Sequence, residues 1–251
     1  ARTLHVDAHS PRPQPPYATL ATAAHTLQDA VNAAADGDTV QVQPGRYDQG
    51  GVLRDGQLNR VVVDKAITIR STGGAELTLL AGARDPSVPP EKRGCGPQAV
   101  RGVYLAHPQA RLIGFRITGG ATLGPPGEDD PWEKTGRMGG GVYAAANSAV
   151  IRQCILDSNA ASFDGGGLYG GTARQCTLSG NWAGNGGGAA GADLTDCRLA
   201  HNTAYSGGGA YECALRRCEI RDNVADCECE DPDSYGGGVA YSQVEDSGLH
   251  H

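Results

Sequence analysis

The sequence predicts an all-β solenoid, a parallel β-helix of about 21 to 22 residues per turn with a short N-terminal capping helix. Three periodic features carry that reading. Cysteines recur at Cys154, Cys176, Cys197 and Cys218, stepping by 22, 21 and 21 residues. Each is followed five residues later by an asparagine: Asn159, Asn181, Asn202 and Asn223. Glycine triplets keep nearly the same beat, beginning at Gly139, Gly165, Gly186, Gly207 and Gly236.

Numbering from the cysteine as zero assigns the faces. Position −3 is Ile151, Ala173, Leu194, Leu215 and Val244, position +2 is Leu156, Leu178, Leu199 and Ile220, and position +7 is Ala161, Ala183, Ala204 and Ala225. Position +1 (Ile155, Thr177, Arg198, Glu219) is mixed and therefore outside. Alternation across zero, +1 and +2 is the period of a strand. The cysteines then read as a buried column of free thiols, since in-register parallel strands give a poor dihedral for a disulfide. The asparagines read as stacked amides at a bend. The glycine triplets mark corners; no GK[ST] follows them, so they are not phosphate loops.

Residues 1–45 read as an N-terminal extension with a capping helix and strand, and 46–251 as the β-helix, regular over 139–249. Residues 1–24 are Pro-rich and irregular, with one extended stretch from Thr3 to Val6. Thr26 is the expected N-cap of a helix whose apolar face is Leu27, Ala30, Val31 and Ala34, with Gly37 as its stop. The alternation of DTVQVQPGRY makes a strand with Val40 and Val42 on one side, closed by Pro44-Gly45. Further strand-like runs are Val61 to Val63, Ile67 to Ile69, Leu77 to Leu80, Val103 to Leu105 and Leu112 to Ile117.

The net charge of −7 argues against a nucleic-acid partner, and no apolar run is long enough for a membrane span. Cys95, Cys213, Cys227 and Cys229 fall outside the cysteine beat and are the disulfide candidates, Cys227 or Cys229 within their loop or with Cys213. They lean the chain towards an oxidising compartment, secreted or at the cell surface. Val244, Ser247 and Leu249 match −3, zero and +2 of a further turn that does not close.

The stretch TLQDAVNAAADGDTVQVQPGRY resembles the opening segment of pectin-lyase-like right-handed β-helix proteins. GGGLYGGTARQCTLSGNWA and GGGAYECALRRCEIRDNVA resemble repeats of large secreted bacterial β-helix proteins. They also resemble the GGA and FxxN repeats of chlamydial polymorphic membrane proteins, with Cys standing where those have Phe. The resemblance covers residues 26 to 249 and implies the right-handed fold. It includes polysaccharide lyases, glycoside hydrolases, esterases, epimerases, tailspikes and adhesins, so it leaves the activity open.

Two interruptions of the beat, 121–138 and 226–235, both fall between the +7 alanine and the next glycine triplet. They should leave one corner of the coil four turns apart, roughly 19 Å at about 4.8 Å per turn. Between them the turns stay short, so a cleft is expected there, formed by Asp129, Asp130, Trp132, Lys134, Arg137, Asp164, Glu228, Glu230, Asp233 and Tyr235. The partner it implies is a polysaccharide or cell-surface glycan; the alternative is a non-catalytic, adhesin-like surface solenoid. No cofactor is required, although Asp129, Asp130, Asp231 and Asp233 suit Ca²⁺, a hard cation that prefers oxygen ligands. Arg116, Asp157, Arg198, Glu219 and Arg221, with His201, mix both signs and show no matched pair across adjacent turns. A second group, Lys65, Arg70, Arg101, Tyr104, His107 and Arg111, lies on the earlier turns. No catalytic residue is assigned.

Overall fold

In the computed structural model, which describes residues 1–125, 135–226 and 236–250, the chain winds as a parallel β-helix. One sheet has nine strands, running from Thr3–Val6 through Thr39–Val42, Thr68–Ser71, Arg111–Ile113 and Val150–Arg152 to Gln243–Glu245. A second sheet of eight begins at Gly45–Tyr47, and a third of eight begins at the hairpin Val52–Arg54 and Gln57–Val63. A short sheet of three (Trp182–Asn185, Thr203–Ser206, Val224–Ala225) lies between the second and third in each turn. One circuit therefore runs first, second, short, third, and the short sheet lies across the coil from the first. All strand pairs are parallel except that hairpin.

The register stacks like on like. Ile151, Ala173, Leu194, Leu215 and Val244 are successive partners in the first sheet, and Leu156, Leu178, Leu199 and Ile220 in the second. Ala161, Ala183 and Ala204 are fully buried on the inside of the short side. Sharp corners come from single left-handed residues. Gln153, Gln175, Asp196 and Arg217, with φ of 50–55°, each precede a column cysteine; Ser158, Gly180, His201 and Asp222, with φ of 53–61°, each precede a column asparagine. One such residue turns the strand in a single step, which lets 21 residues close a turn.

The cysteines are buried free thiols, and interaction with the neighbouring thiols of the column, together with burial, raises Cys176 and Cys218 well above the usual range. Cys176, Cys197 and Cys218 each approach a carbonyl of the preceding turn, at Ile151, Ala173 and Leu194. The asparagines are bonded in series: Asn181 Nδ2 donates to Asn202 Oδ1 and to the Leu156 carbonyl, both at 2.9 Å. Asn159 and Asn202 repeat the pattern with Asn181 and Asn223. The side-chain amides that the bend carries into the core thus have partners. At Gly188 a Cβ would lie 2.4 Å from the Gly209 carbonyl oxygen, so the turns stack this closely only with glycine.

Several sequence expectations need correction. Cys213 is not in a disulfide: it is a free thiol buried in the main core, and the Ala214 amide that follows it donates to the carbonyl of Ala192 one turn earlier. Cys95 is likewise a buried free thiol, receiving Thr122 Oγ1. Cys227 and Cys229 lie outside the described residues. The run Leu112 to Ile117 is two strands, Arg111–Ile113 and Arg116–Thr118, because Gly114 (φ 78°) bends it around a corner. Pro44-Gly45 ends one strand but also begins the next, Gly45–Tyr47 in the second sheet.

The cap forms where the sequence suggests, but its helix stops earlier than expected: Ala34 is the C-cap in extended conformation, and Gly37 (φ 84°) lies beyond it. The helix α1 spans Leu27–Ala33; Thr26 Oγ1 accepts from the Asp29 amide, and Leu27, Ala30 and Val31 are buried. Lys65 Nζ donates to the carbonyls of Val31, Asn32 and Ala34, which satisfies the end of α1 and sets a cation at its negative pole. The Thr3–Val6 stretch is the outermost strand of the first sheet, tied down by Arg2 on buried Asp38.

Candidate functional site

Most of the residues expected to wall a cleft (Asp129, Asp130, Trp132, Lys134, Glu228, Glu230, Asp233 and Tyr235) lie outside the described residues, as do all four Ca²⁺ candidates. Arg137 is described and does not face a cleft. It is 3% exposed, with Nε on the Gly124 carbonyl, because its guanidinium closes the base of the first insertion. Asp164 is half-buried at the corner, where it accepts from Asn185 Nδ2 at 2.9 Å. The structure therefore brings Asp164 to the turns between the insertions and takes Arg137 beneath one of them.

The group on the earlier turns divides in the same way. Lys65 is taken up by the end of α1, whose carbonyls it satisfies. Arg101 is fully buried: Nε donates to Gly139, Nη1 to Asn59 Oδ1, and Nη2 to the Thr135 and Met138 carbonyls. Its Cζ lies 5.0 Å from the centre of the Tyr143 ring, and desolvation pulls its pKa down to about 10. Tyr104 donates to Asp55, and burial pushes its hydroxyl up to about 12. Arg101 is thus a clasp holding the end of the first insertion. Only Arg70 and Arg111 of this group, with the more peripheral His107, remain at the surface.

On the second sheet the outward charges are paired across turns, contrary to the sequence expectation. Arg116 grips Asp157 of the next turn with two hydrogen bonds of 2.9 Å. Arg198 faces Glu219 of the next turn at 3.7 Å, and Glu219 also meets Arg221 at 3.0 Å. Register explains this: Arg198 and Glu219 are direct partners, and Asp157 lies beside Arg116 on the neighbouring strand. These groups are engaged with one another.

The first sheet is different. Its outward column runs Gln41, Arg70, Ile113, Arg152, Arg174, Thr195, Arg216 and Glu245 in strict register. Arg111 stands two residues from Ile113 on the same face. All five arginines are exposed. Arg216 pairs with Glu245 at 2.8 Å, and Arg152 donates to Gln175 Oε1 at 3.3 Å. Arg70, Arg111 and Arg174 have no ion pair or side-chain hydrogen bond among the described residues. Arg152 and Arg174 are direct partners, a like-charge juxtaposition that costs stability on a sheet. Two depressions meet at Arg174. One, of about 440 Å³, is lined by Arg111, Val150, Arg152, Arg174, Gln175 and Asp196. The other, of about 460 Å³, continues over Asp193, Thr195, Arg216 and Glu245. Asp196 is engaged at the edge by Arg217, whose hydrogen bonds at 2.8 and 3.2 Å hold its carboxyl below the usual range. Together they form a groove along the coil with an excess of arginine, in a chain of net charge −7.

No protein-family model matches the chain, and no curated protein matches it in sequence. Solved structures do match. Pectate lyase Pel9A aligns over 99% of this chain with a TM-score of 0.59 at 14% identity, and a rhamnogalacturonan lyase over 98% with a TM-score of 0.61 at 13% identity. The fold is the pectin-lyase-like right-handed parallel β-helix. The chain spans 62% of the length of each of these two structures. At such identity the likeness extends to the pectin-lyase-like coil and not to side chains, so the site rests on the residues above.

The arginine column was legible in part. Arg70 and Arg111 stand out in the sequence, but Arg152, Arg174 and Arg216 do not, because they sit at −2 of a repeat whose numbering drew attention to −3, zero and +2. Reading down position −2 (Arg152, Arg174, Thr195, Arg216) would have found them.

Proposed function

We propose that this protein binds a linear acidic polysaccharide along the groove of its first sheet, as a secreted or cell-surface β-helix. One observation carries the reading: arginines stacked on one outward face, of which Arg70, Arg111 and Arg174 have no ion pair among the described residues, whereas the adjoining sheet pairs its own across turns. Charges one turn apart stand about 4.8 Å from each other on a rigid backbone, a preorganised array for a chain bearing regularly spaced carboxylates or sulfates. The planar guanidinium fork suits either anion. The names of the two similar structures, a pectate lyase and a rhamnogalacturonan lyase, are in keeping with an acidic glycan.

Binding without turnover is the form favoured. Hydrolysis uses two carboxylates at a set separation, whereas of the groove's described carboxylates Asp196 is engaged by Arg217 and Glu245 by Arg216, which leaves Asp193 alone. A second reading, glycan contact at the corner between the two insertions, is favoured by Asp164 and by the exposed Tyr205 two turns further on.

The test is a binding screen over polygalacturonate, a sulfated polysaccharide and a neutral glucan, with unsaturated products followed by ultraviolet absorbance. Binding to the acidic chains, weakened by added salt and without product, is expected. No affinity for any acidic chain would remove the proposal; accumulating unsaturated product would convert it to a lyase.

A further inference from the structure

A third interruption of the coil, unmarked by the cysteine beat, lies at residues 82–99 between the second and third sheets. It crosses the short side of the coil. Cys95 and Ala99 from this loop pack on Ala121 and Ala160, the first two rungs of the outward column there. The column continues to Trp182 through bridges from Ala121 to Ala160 and from Ala160 to Trp182, then to Thr203 and Val224. The loop's cover ends at half-buried Trp182, and exposed Arg93 sits with its guanidinium 5.9 Å from the centre of that ring. Tyr205, 53% exposed, meets Trp182 edge-on at 5.9 Å, and Val224 is 52% exposed. Beyond Val224 the second insertion begins.

From these positions we infer a second glycan subsite, on the side of the coil opposite the arginine groove, that takes a single acidic sugar ring. The inference rests on the reading of the protein as a binder of acidic polysaccharide. The apolar face of a pyranose lies on Tyr205, and its carboxylate meets Arg93, whose side chain has no ion pair among the described residues. Thr203, half-buried between Trp182 and Val224 in the column and on the same strand as Tyr205, offers a hydroxyl to the ring. The arrangement has a structural cost, because an exposed tyrosine and valine on a sheet edge-on to solvent invite association. Arg93 is what selects an acidic ring over an apolar partner: a cation held over an aromatic ring at the rim of the patch disfavours a purely apolar occupant and attracts an anion. With the groove on the first sheet, the molecule becomes bivalent, able to hold two segments of polysaccharide on opposite faces.

The test uses the whole chain and a short oligogalacturonide. Calorimetry should give two ligands per wild-type chain. Tyr205→Ala and Arg93→Ala should each abolish one of the two, with affinity at the short-side site falling about tenfold or more, as for removal of an anchoring side chain. The double variant Arg152→Glu with Arg174→Glu should abolish the other. Long polygalacturonate should cross-link with wild type, read as light scattering, and not with Tyr205→Ala. One ligand per chain, unaffected by Tyr205→Ala but abolished in the groove variant, overturns the second subsite and leaves the groove reading intact. Two ligands that persist in Tyr205→Ala and Arg93→Ala also overturn it. A neutral oligosaccharide that binds here as well as the acidic one overturns the assigned ligand class. No binding by any form overturns the groove reading itself.

Discussion

The outward faces of the first and second sheets are built on the same coil, with the same strand length and the same one-turn register, yet they treat charge in opposite ways. On the second sheet Arg116 and Arg198 each meet a carboxylate one turn on, at Asp157 and Glu219. On the first, Arg152 meets Arg174, the column's own carboxylate stands only at its end, at Glu245, and Asp193 and Asp196 lie beside the column without an ion pair to it. Neutralising pairs are what a solvated sheet face adopts when nothing else is asked of it, since opposite charges across strands help and like charges hurt. The contrast separates scaffold from site more sharply than conspicuous residues do. The stacked cysteines and asparagines are the most regular feature of the chain, and they are wholly taken up by folding.

The largest expected effect comes from reversing the first column. Arg152→Glu with Arg174→Glu should lower affinity for polygalacturonate by about a hundredfold or more, taking roughly 1.5–3 kcal/mol for each charge-assisted hydrogen bond removed. Thermal midpoint should stay close to that of wild type, because the double reversal exchanges one like-charge cross-strand pair for another. Arg116→Ala with Arg198→Ala is the matching control. It should leave affinity unchanged and cost up to about 1 kcal/mol of stability for each of the two pairs removed. If the control variant abolishes binding and the first does not, the assignment of faces is reversed.

A smaller effect should follow from giving the first sheet the second sheet's solution. Thr195→Glu places a carboxylate between Arg174 and Arg216, its neighbours in register. Affinity should fall several-fold, with stability raised by about 0.2–1 kcal/mol, the size of a cross-strand charge pair. Equilibrium binding alongside chemical denaturation reads both quantities.

The smallest effect is that of pH. Asp196 at the groove's edge is held below the usual carboxylate range by its hydrogen bonds to Arg217. A carboxylate depressed in the folded state lends its stabilising interaction above its unfolded pKa, and that stabilisation fades as pH falls through the lower, folded value. Below the ordinary carboxylate range Asp196 therefore protonates and frees Arg217, which adds positive charge to the groove. Binding of a sulfated polysaccharide, whose own charge stays constant, should tighten modestly at acid pH in wild type and not in Asp196→Asn. An equal response in the variant would assign the titration to other groups.

Much of the fold was legible because a solenoid repeats its physical problem every turn. The 21-residue beat, the alternation around Leu178 and Leu199, and the N-cap at Thr26 are local patterns, and the structure forms strands and helix where they lie. Expectations failed where one residue had to be placed against another turn. Cys213 reads as a disulfide candidate because it breaks the cysteine beat, yet it is a free thiol in the core, one turn on from Ala192. Arg137 reads as a surface charge within a polar insertion, but it returns beneath that insertion to close its base. Arg101 reads as one more basic residue; only the packing of three strands reveals a fully buried guanidinium directing its donors to the carbonyls of Thr135, Met138 and Gly139.

The sequence by itself determined the architecture: a parallel coil, its turn length, its inward columns and the cap on its first turn. These follow from periodicity, and periodicity is a property of the chain read along its length. The tertiary structure decided which charges meet. Partners on adjacent turns are 21 or 22 residues apart along the regular repeat but one strand spacing apart in space, and electrostatics depends on the second distance. That is why Arg116 and Asp157 form an ion pair, and why Arg152 and Arg174 stand side by side.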